Sequence, residues 1–177
     1  MQQLFKKKIY VFDVDNTLID WNDLKTMFSD ISYSLQISKV QKQLNQKRGI
    51  RNQPALRLPL RSLPPLHPEL LALFTFLRQK NEPIVIFSDL PHPELETIFT
   101  AFHVQVIING QDIAATKPLP DGLWQIASQY GVSPTEIILI GDQDKTDFRS
   151  AINAGTQYFN VETLKQIGWR EFYDRLT

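Results

Sequence analysis

The feature that most constrains this chain is a series of short apolar runs spaced so that each is followed by a segment with helical periodicity. Ile9 to Phe12, Pro83 to Phe87, Val104 to Ile108, Ile137 to Ile140 and Tyr158 to Val161 are rich in β-branched and aromatic residues. Their continuous hydrophobicity, without polar alternation, predicts strands buried on both faces. Between them, Leu70, Leu71, Phe74 and Leu77 follow a Pro68 suited to a first helical position. Helices are also predicted near 93–102, from Pro120 to Tyr130 before Gly131, and near 146–154 before Gly155. Residues 162–176 are amphipathic through Leu164, Ile167, Trp169, Phe172 and Leu176. Trp124 and Trp169 fall on apolar helical faces and are expected in the core. Strands alternating with helices define an α/β class with a doubly wound parallel sheet. Ligands of such sheets bind beyond the carboxyl ends of the strands, where the strand order reverses.

One segment interrupts the alternation. After Asp20, residues 21–66 carry an amphipathic stretch (Trp21, Leu24, Met27, Phe28, Ile31, Leu35) and a second, polar helical stretch from Ser38 to Arg48. A return containing Pro54, Pro59, Pro64 and Pro65 then forbids regular helix. The segment reads as a small, partly helical insertion on a core made of residues 1–20 and 67–177. Its charge is distinctive. Ile37 to Pro68 holds seven Lys and Arg and no acid, so the zero net charge of the chain leaves twelve basic against nineteen acidic residues elsewhere. A basic segment on an acidic body could steer an anionic substrate or merely solubilise a polar helix. With few interleaved aromatics it makes a poor platform for single-stranded nucleic acid.

The 177 residues, 42% hydrophobic and 21% charged, are ordinary globular composition with enough chain for one sizeable core. The absence of cysteine excludes disulfides, thiolate catalysis and Cys-ligated metal sites. The apolar run after Lys6-Lys7-Lys8 ends at Asp13, too soon for a signal peptide, and no run approaches the length of a membrane span. A cytoplasmic location is the expectation.

The chemistry gathers at the predicted strand ends. Asp13 and Asp15, two apart, can face one cavity, with Asn16 and Thr17 beyond. Ser88 and Asp89 end the second run. Gly141-Asp142, with Asp144 and Asp147, ends the fourth, and Lys117-Pro118 lies in the long loop after the third. Converging carboxylates suit a hard divalent cation such as Mg²⁺. Hydroxyls and one lysine beside it suit a phosphate. Asp89 reads as a loop or capping residue, Lys145 is a rival to Lys117, and Asp144 is a rival to Asp147 that spacing disfavours. His67, His92 and His103 are too scattered for a metal site, though His92 follows Ser88 closely enough to approach a substrate.

The order Asp13-Val14-Asp15-Asn16-Thr17, Ser88, Lys117, then Gly141-Asp142 to Asp147 resembles the four motifs of the haloacid dehalogenase superfamily of phosphatases. The resemblance spans residues 9–155 apart from the insertion. It implies a Rossmann-like core with a small helical cap after the first strand. It further implies a Mg²⁺-dependent phosphomonoester hydrolase, with Asp13 as nucleophile forming an aspartyl-phosphate and Asp15 as general acid and base. Thr17, Ser88 and Lys117 would bind the substrate phosphate. Asp13, the backbone carbonyl of Asp15, and Asp142 would hold Mg²⁺, with Asp147 supporting the metal or orienting Lys117. The expected partner is a phosphorylated small molecule or phosphoprotein. A phosphotransferase or phosphomutase of the same family is the neighbouring alternative. A phosphate-sensing module without turnover is the alternative from another class; receiver domains, however, carry their acidic pair on a different strand from the phosphoacceptor. A cap of some 45 residues would cover the site only in part, leaving a cleft open to a large substrate.

Overall fold

The computed structural model describes residues 7–18, 66–89, 106–108 and 115–176. The predicted insertion at 21–66, apart from its last residue, the helix near 93–102, Trp21, His92 and His103 lie outside the described residues. Among those described, five strands form one parallel sheet: β1 (Ile9–Phe12), β2 (Ile84–Phe87), β3 (Val106–Ile108), β4 (Ile137–Gly141) and β5 (Gln157–Asn160). Their order is β3-β2-β1-β4-β5. The central strand thus pairs with β2 on one side, Tyr10 opposite Ile84, and with β4 on the other, Tyr10 opposite Ile138. The chain moves outward from β1 through β2 to β3, then crosses back to β4. The reversal falls between β1 and β4, so their carboxyl ends flank the crevice where such folds bind ligands.

The continuous hydrophobicity of the strands has the expected cause. Side chains alternate between two faces, and each face is covered. On one, Tyr10, Phe12, Ile84, Ile86, Ile138 and Ile140 pack against helices α1 (Pro68–Gln79), α4 (Val161–Ile167) and α5 (Trp169–Leu176). On the other, Ile9, Val11, Val85, Phe87, Ile137 and Leu139 meet α2 (Asp121–Tyr130) and α3 (Arg149–Ala154). Phe12 meets Phe74 edge to face at 4.6 Å, and Phe159 meets Phe172 likewise at 5.6 Å. The helix termini follow local chemistry. His67 caps α1, accepting from the Glu69 N–H, and Glu69 in turn accepts the Trp169 N–H at 2.7 Å, satisfying a donor at the start of α5.

Three boundaries differ from the sequence expectation. The amphipathic tail is two helices, because Gly168, at φ +81°, turns the chain between α4 and α5. The helix expected near 146–154 begins as a π-helical turn, Asp144–Phe148, and becomes α-helical only at Arg149. The last strand starts one residue early, and Val161 opens α4 behind an Asn160 cap that accepts the Glu162 N–H at 2.8 Å. Trp124 corrects the core assignment. It is 51% exposed, lying across α3 with its indole N–H donating to the Ala154 carbonyl at 3.3 Å. A helical apolar stripe wider than the sheet contact leaves its margin in water. Trp169 is partly buried against the core, its ring 4.9 Å from Phe76.

Gly122 in α2 is required by close approach. A Cβ there would stand 2.5 Å from Cζ of the fully buried Phe87 ring. Alanine in a helix is worth at most about 1 kcal/mol over glycine, less in a first turn. Overpacking a core costs about 1–3 kcal/mol. Gly122→Ala is therefore expected to destabilise the fold, read as a lower urea midpoint; an unchanged or raised midpoint would show that Phe87 can turn aside.

Candidate active site

The carboxyl end of β1 begins the site. The Asp13 N–H donates to the Ile140 carbonyl at 2.9 Å, extending the β1–β4 ladder by one residue and fixing the Asp13 backbone. The chain then turns. Thr17 and Leu18 N–H both donate to the Val14 carbonyl, at 3.2 and 2.9 Å, and Asn16 takes φ +61°, a left-handed conformation that asparagine tolerates better than most residues. Val14 and Leu18 anchor this turn in the core, and Asp13 and Thr17 are buried with them. Asp15 is only half-buried.

Lys117 joins three strand ends. Its side chain is buried, and its ammonium donates to Asp13 Oδ1, to Asp147 Oδ1 at 2.6 Å and to the Phe87 carbonyl at 3.4 Å, a partner for each of its three protons. It also lies 4.9 Å from the centroid of the Phe87 ring. Burial alone would lower the lysine pKa, but the charges of Asp13 and Asp147 outweigh it and raise the pKa well above its usual value. Burial pushes the Asp13 carboxyl well up, against the pull of Lys117, and the Asp147 and Asp15 charges add to the rise. Its Lys117-Pro118 peptide bond is cis.

Asp147 arrives from the π-helical turn after β4. Its Oδ2 accepts the Gln143 N–H at 3.1 Å, while its Oδ1 faces Lys117. Gly141 makes the approach possible, for a Cβ at that position would lie 2.5 Å from Asp147 Cγ. Asp144, by contrast, is exposed, as is Lys145. Asp142 completes the group. Burial, then the Asp147 charge, pushes its carboxyl up to about 6, while a hydrogen bond from Asn16 pulls the other way.

Carboxylate oxygens of Asp13, Asp142 and Asp147 lie within 4.8 Å of one another. Asp142 Oδ1 is buried without a hydrogen-bond partner, a costly arrangement unless something else satisfies it. Three hard oxygen donors, one of them orphaned, with a single lysine to balance them, fit a divalent cation. The Asp15 carboxylate is not in that group. Ser88 is buried at the end of β2, and buried Thr17 leaves Oγ1 unpartnered. The sequence-predicted residues thus gather at the carboxyl ends of β1, β2 and β4.

Other contacts were not anticipated. The Tyr158 hydroxyl donates to the Gly141 carbonyl at 3.2 Å, and Asn160 Nδ2 donates to the Asp142 carbonyl at 3.4 Å. These residues alternate along β5, so strand periodicity puts them on one face; pairing of β5 beside β4 was the missing information. Asp89 Oδ1 accepts the Lys117 backbone N–H at 2.9 Å.

A family model for haloacid dehalogenase-like hydrolases matches residues 35–155, and the chain belongs to that family. Phosphoglycolate phosphatase of Escherichia coli K12 is 30% identical over 94 residues, which are 51% of this chain and 37% of that protein. The corresponding enzyme of Pasteurella multocida is 26% identical over 94 residues, covering 51% and 42%. The matched region is therefore less than half of these relatives' length. In fold, the chain is similar to a predicted phosphoglycolate phosphatase from Haemophilus somnus 129PT, with TM-score 0.63, 16% identity and 93% of each chain covered. It is also similar to CbbY from Rhodobacter sphaeroides in complex with phosphate, with TM-score 0.60, 18% identity and coverage of 87% and 85%.

Removing one partner from a buried ionic group leaves uncompensated charge, at a cost of about 3–5 kcal/mol. Lys117→Met is expected to lose that much stability in urea denaturation with chelator present. Adding Asp147→Asn should recover part of the loss. Additive losses in the double variant would show that the two side chains do not share one electrostatic unit.

Proposed function

We propose that the chain is a Mg²⁺-dependent phosphomonoester hydrolase that works through an aspartyl-phosphate on Asp13. The observation that carries this reading is the meeting of Asp13, Asp142, Asp147 and Lys117 at the reversal of the sheet, with Asp142 Oδ1, and Thr17 Oγ1 in the turn after β1, buried without a protein partner. A phosphoryl group with its cation would satisfy both.

Asp13 and Asp142 would hold Mg²⁺ with the Asp15 carbonyl, and Asp147 would orient Lys117 while supporting the metal. When bound, the cation neutralises phosphoryl charge as it develops. An Asp13 carboxylate oxygen attacks phosphorus, forming an O–P bond as the bond to the substrate oxygen breaks. Asp15, half-buried two residues after the nucleophile, gives its proton to the departing alkoxide. Asp15 then takes a proton from water as the water oxygen attacks phosphorus, releasing phosphate and restoring Asp13. Lys117, held charged by its two carboxylates, offsets negative charge on the transferred group, and the hydroxyls of Thr17 and Ser88 hold its oxygens.

The names of the relatives make a short phosphorylated carboxylate, phosphoglycolate, the first substrate to assay. No helix among the described residues is long and apolar enough to cross a membrane.

Purified protein is expected to release phosphate from p-nitrophenyl phosphate and from phosphoglycolate only with a divalent cation, and to stop when chelator is added. Asp13→Asn should lower kcat by about 10³-fold or more, since it removes the nucleophile of a cooperative group. Retained turnover in that variant would overturn the assignment.

A further inference from the structure

The loop that carries Lys117 is tied down at several points, and the ties differ in what they control. Ser150 Oγ donates to the Leu119 carbonyl at 3.0 Å, and Asn153 Nδ2 donates to the Pro118 carbonyl at 2.9 Å, so α3 holds the part beyond the lysine. The Leu119 N–H closes a turn onto the Thr116 carbonyl at 3.1 Å. The tie on Lys117 itself comes from the opposite direction. Its backbone N–H donates to Asp89 Oδ1 at 2.9 Å, and Asp89 directly follows Ser88 at the end of β2. Pro118 has no N–H to offer, so at this bend Lys117 supplies the donor that β2 can grip.

The placement matters because lysine is a long, flexible stem. Four rotatable bonds separate its backbone from an ammonium that must reach Asp13, Asp147 and the Phe87 carbonyl together. If the backbone origin shifts, three contacts are lost or strained at once. Asp89 fixes that origin relative to β2, the strand that also supplies Ser88 and the Phe87 carbonyl.

We propose that Asp89 is a positioning residue for phosphoryl transfer: by accepting the Lys117 backbone N–H it sets the lysine where its ammonium bridges Asp13 and Asp147. The inference rests on the function proposed above. What the bond requires is an acceptor oxygen at this distance; the Asp89 charge, which adds to those of Asp13 and Asp147 in favouring the charged lysine, is a separate contribution that asparagine removes. Asparagine retains that oxygen at the same reach, whereas alanine has none and serine is too short.

Steady-state kinetics on p-nitrophenyl phosphate with Mg²⁺, urea midpoints, and amide hydrogen exchange at Lys117 test the proposal in wild type, Asp89→Ala and Asp89→Asn. Asp89→Ala is expected to lower kcat by ~10–100-fold, the scale of a small misplacement of a catalytic group, with KM changed by less than about 3-fold. Its Lys117 amide should exchange faster than in wild type. Asp89→Asn should restore kcat to within about 3-fold and slow exchange again, because its carbonyl accepts the same bond. Asp89→Ser replaces the alanine variant if the latter does not fold. Wild-type kinetics and exchange in Asp89→Ala would overturn the proposal, as would an asparagine variant as impaired as alanine. If wild type and Asp13→Asn are equally inactive, the phosphatase reading falls. The exchange arm then still decides whether Asp89 holds Lys117.

Discussion

One buried ammonium organises the centre of this protein. Three acids from two strand ends, Asp13 and Asp147 buried and Asp142 partly so, converge on one space, and without compensation their mutual repulsion would open it. Lys117 supplies a single positive charge between Asp13 and Asp147, with a backbone carbonyl taking its third proton. Buried pairs of this kind contribute little net stability, because desolvation offsets most of the attraction. They are costly to leave incomplete. The arrangement is better understood as preorganisation, in which a polar site is assembled before any ligand arrives, at the expense of stability. One lysine does not balance three carboxylates, and the orphaned oxygen of Asp142 marks where further positive charge fits.

The fold makes this possible by surrounding the polar site with rigid apolar structure. β1 is covered on both faces and paired on both edges, so Asp13 emerges from the centre of the sheet. The reversal of strand order opens the crevice beside it. Local chemistry sets the finer positions: glycine at 141 admits the Asp147 carboxylate, asparagine at 16 accepts a left-handed turn, and β5 holds successive carbonyls at 141 and 142 through Tyr158 and Asn160.

Much of this was legible in the sequence because it depends on local patterns. Unbroken apolar runs such as Ile137 to Ile140 can only be strands covered twice, and acids at their ends must then share an edge. The preference for Asp147 over Asp144 came from spacing, and the structure buries the former and exposes the latter. What escaped depends on contacts between distant segments. The Asp89 bond to Lys117 crosses 28 positions of sequence, and no periodicity announces it. Trp124 misled because a helical stripe shows which side faces the sheet but not how far the sheet extends. The break at Gly168 was hidden by apolar spacing that continues across it.

The most direct test is to look for the phosphoryl group on the chain itself. Enzyme turning over a phosphomonoester with Mg²⁺ would be quenched in acid, digested and examined by mass spectrometry for an acyl-phosphate. Phosphorylation confined to the peptide containing Asp13, and absent from Asp13→Asn, is the expected result. Steady turnover with no phosphopeptide at any quench time, or with the label on another residue, would contradict the central claim.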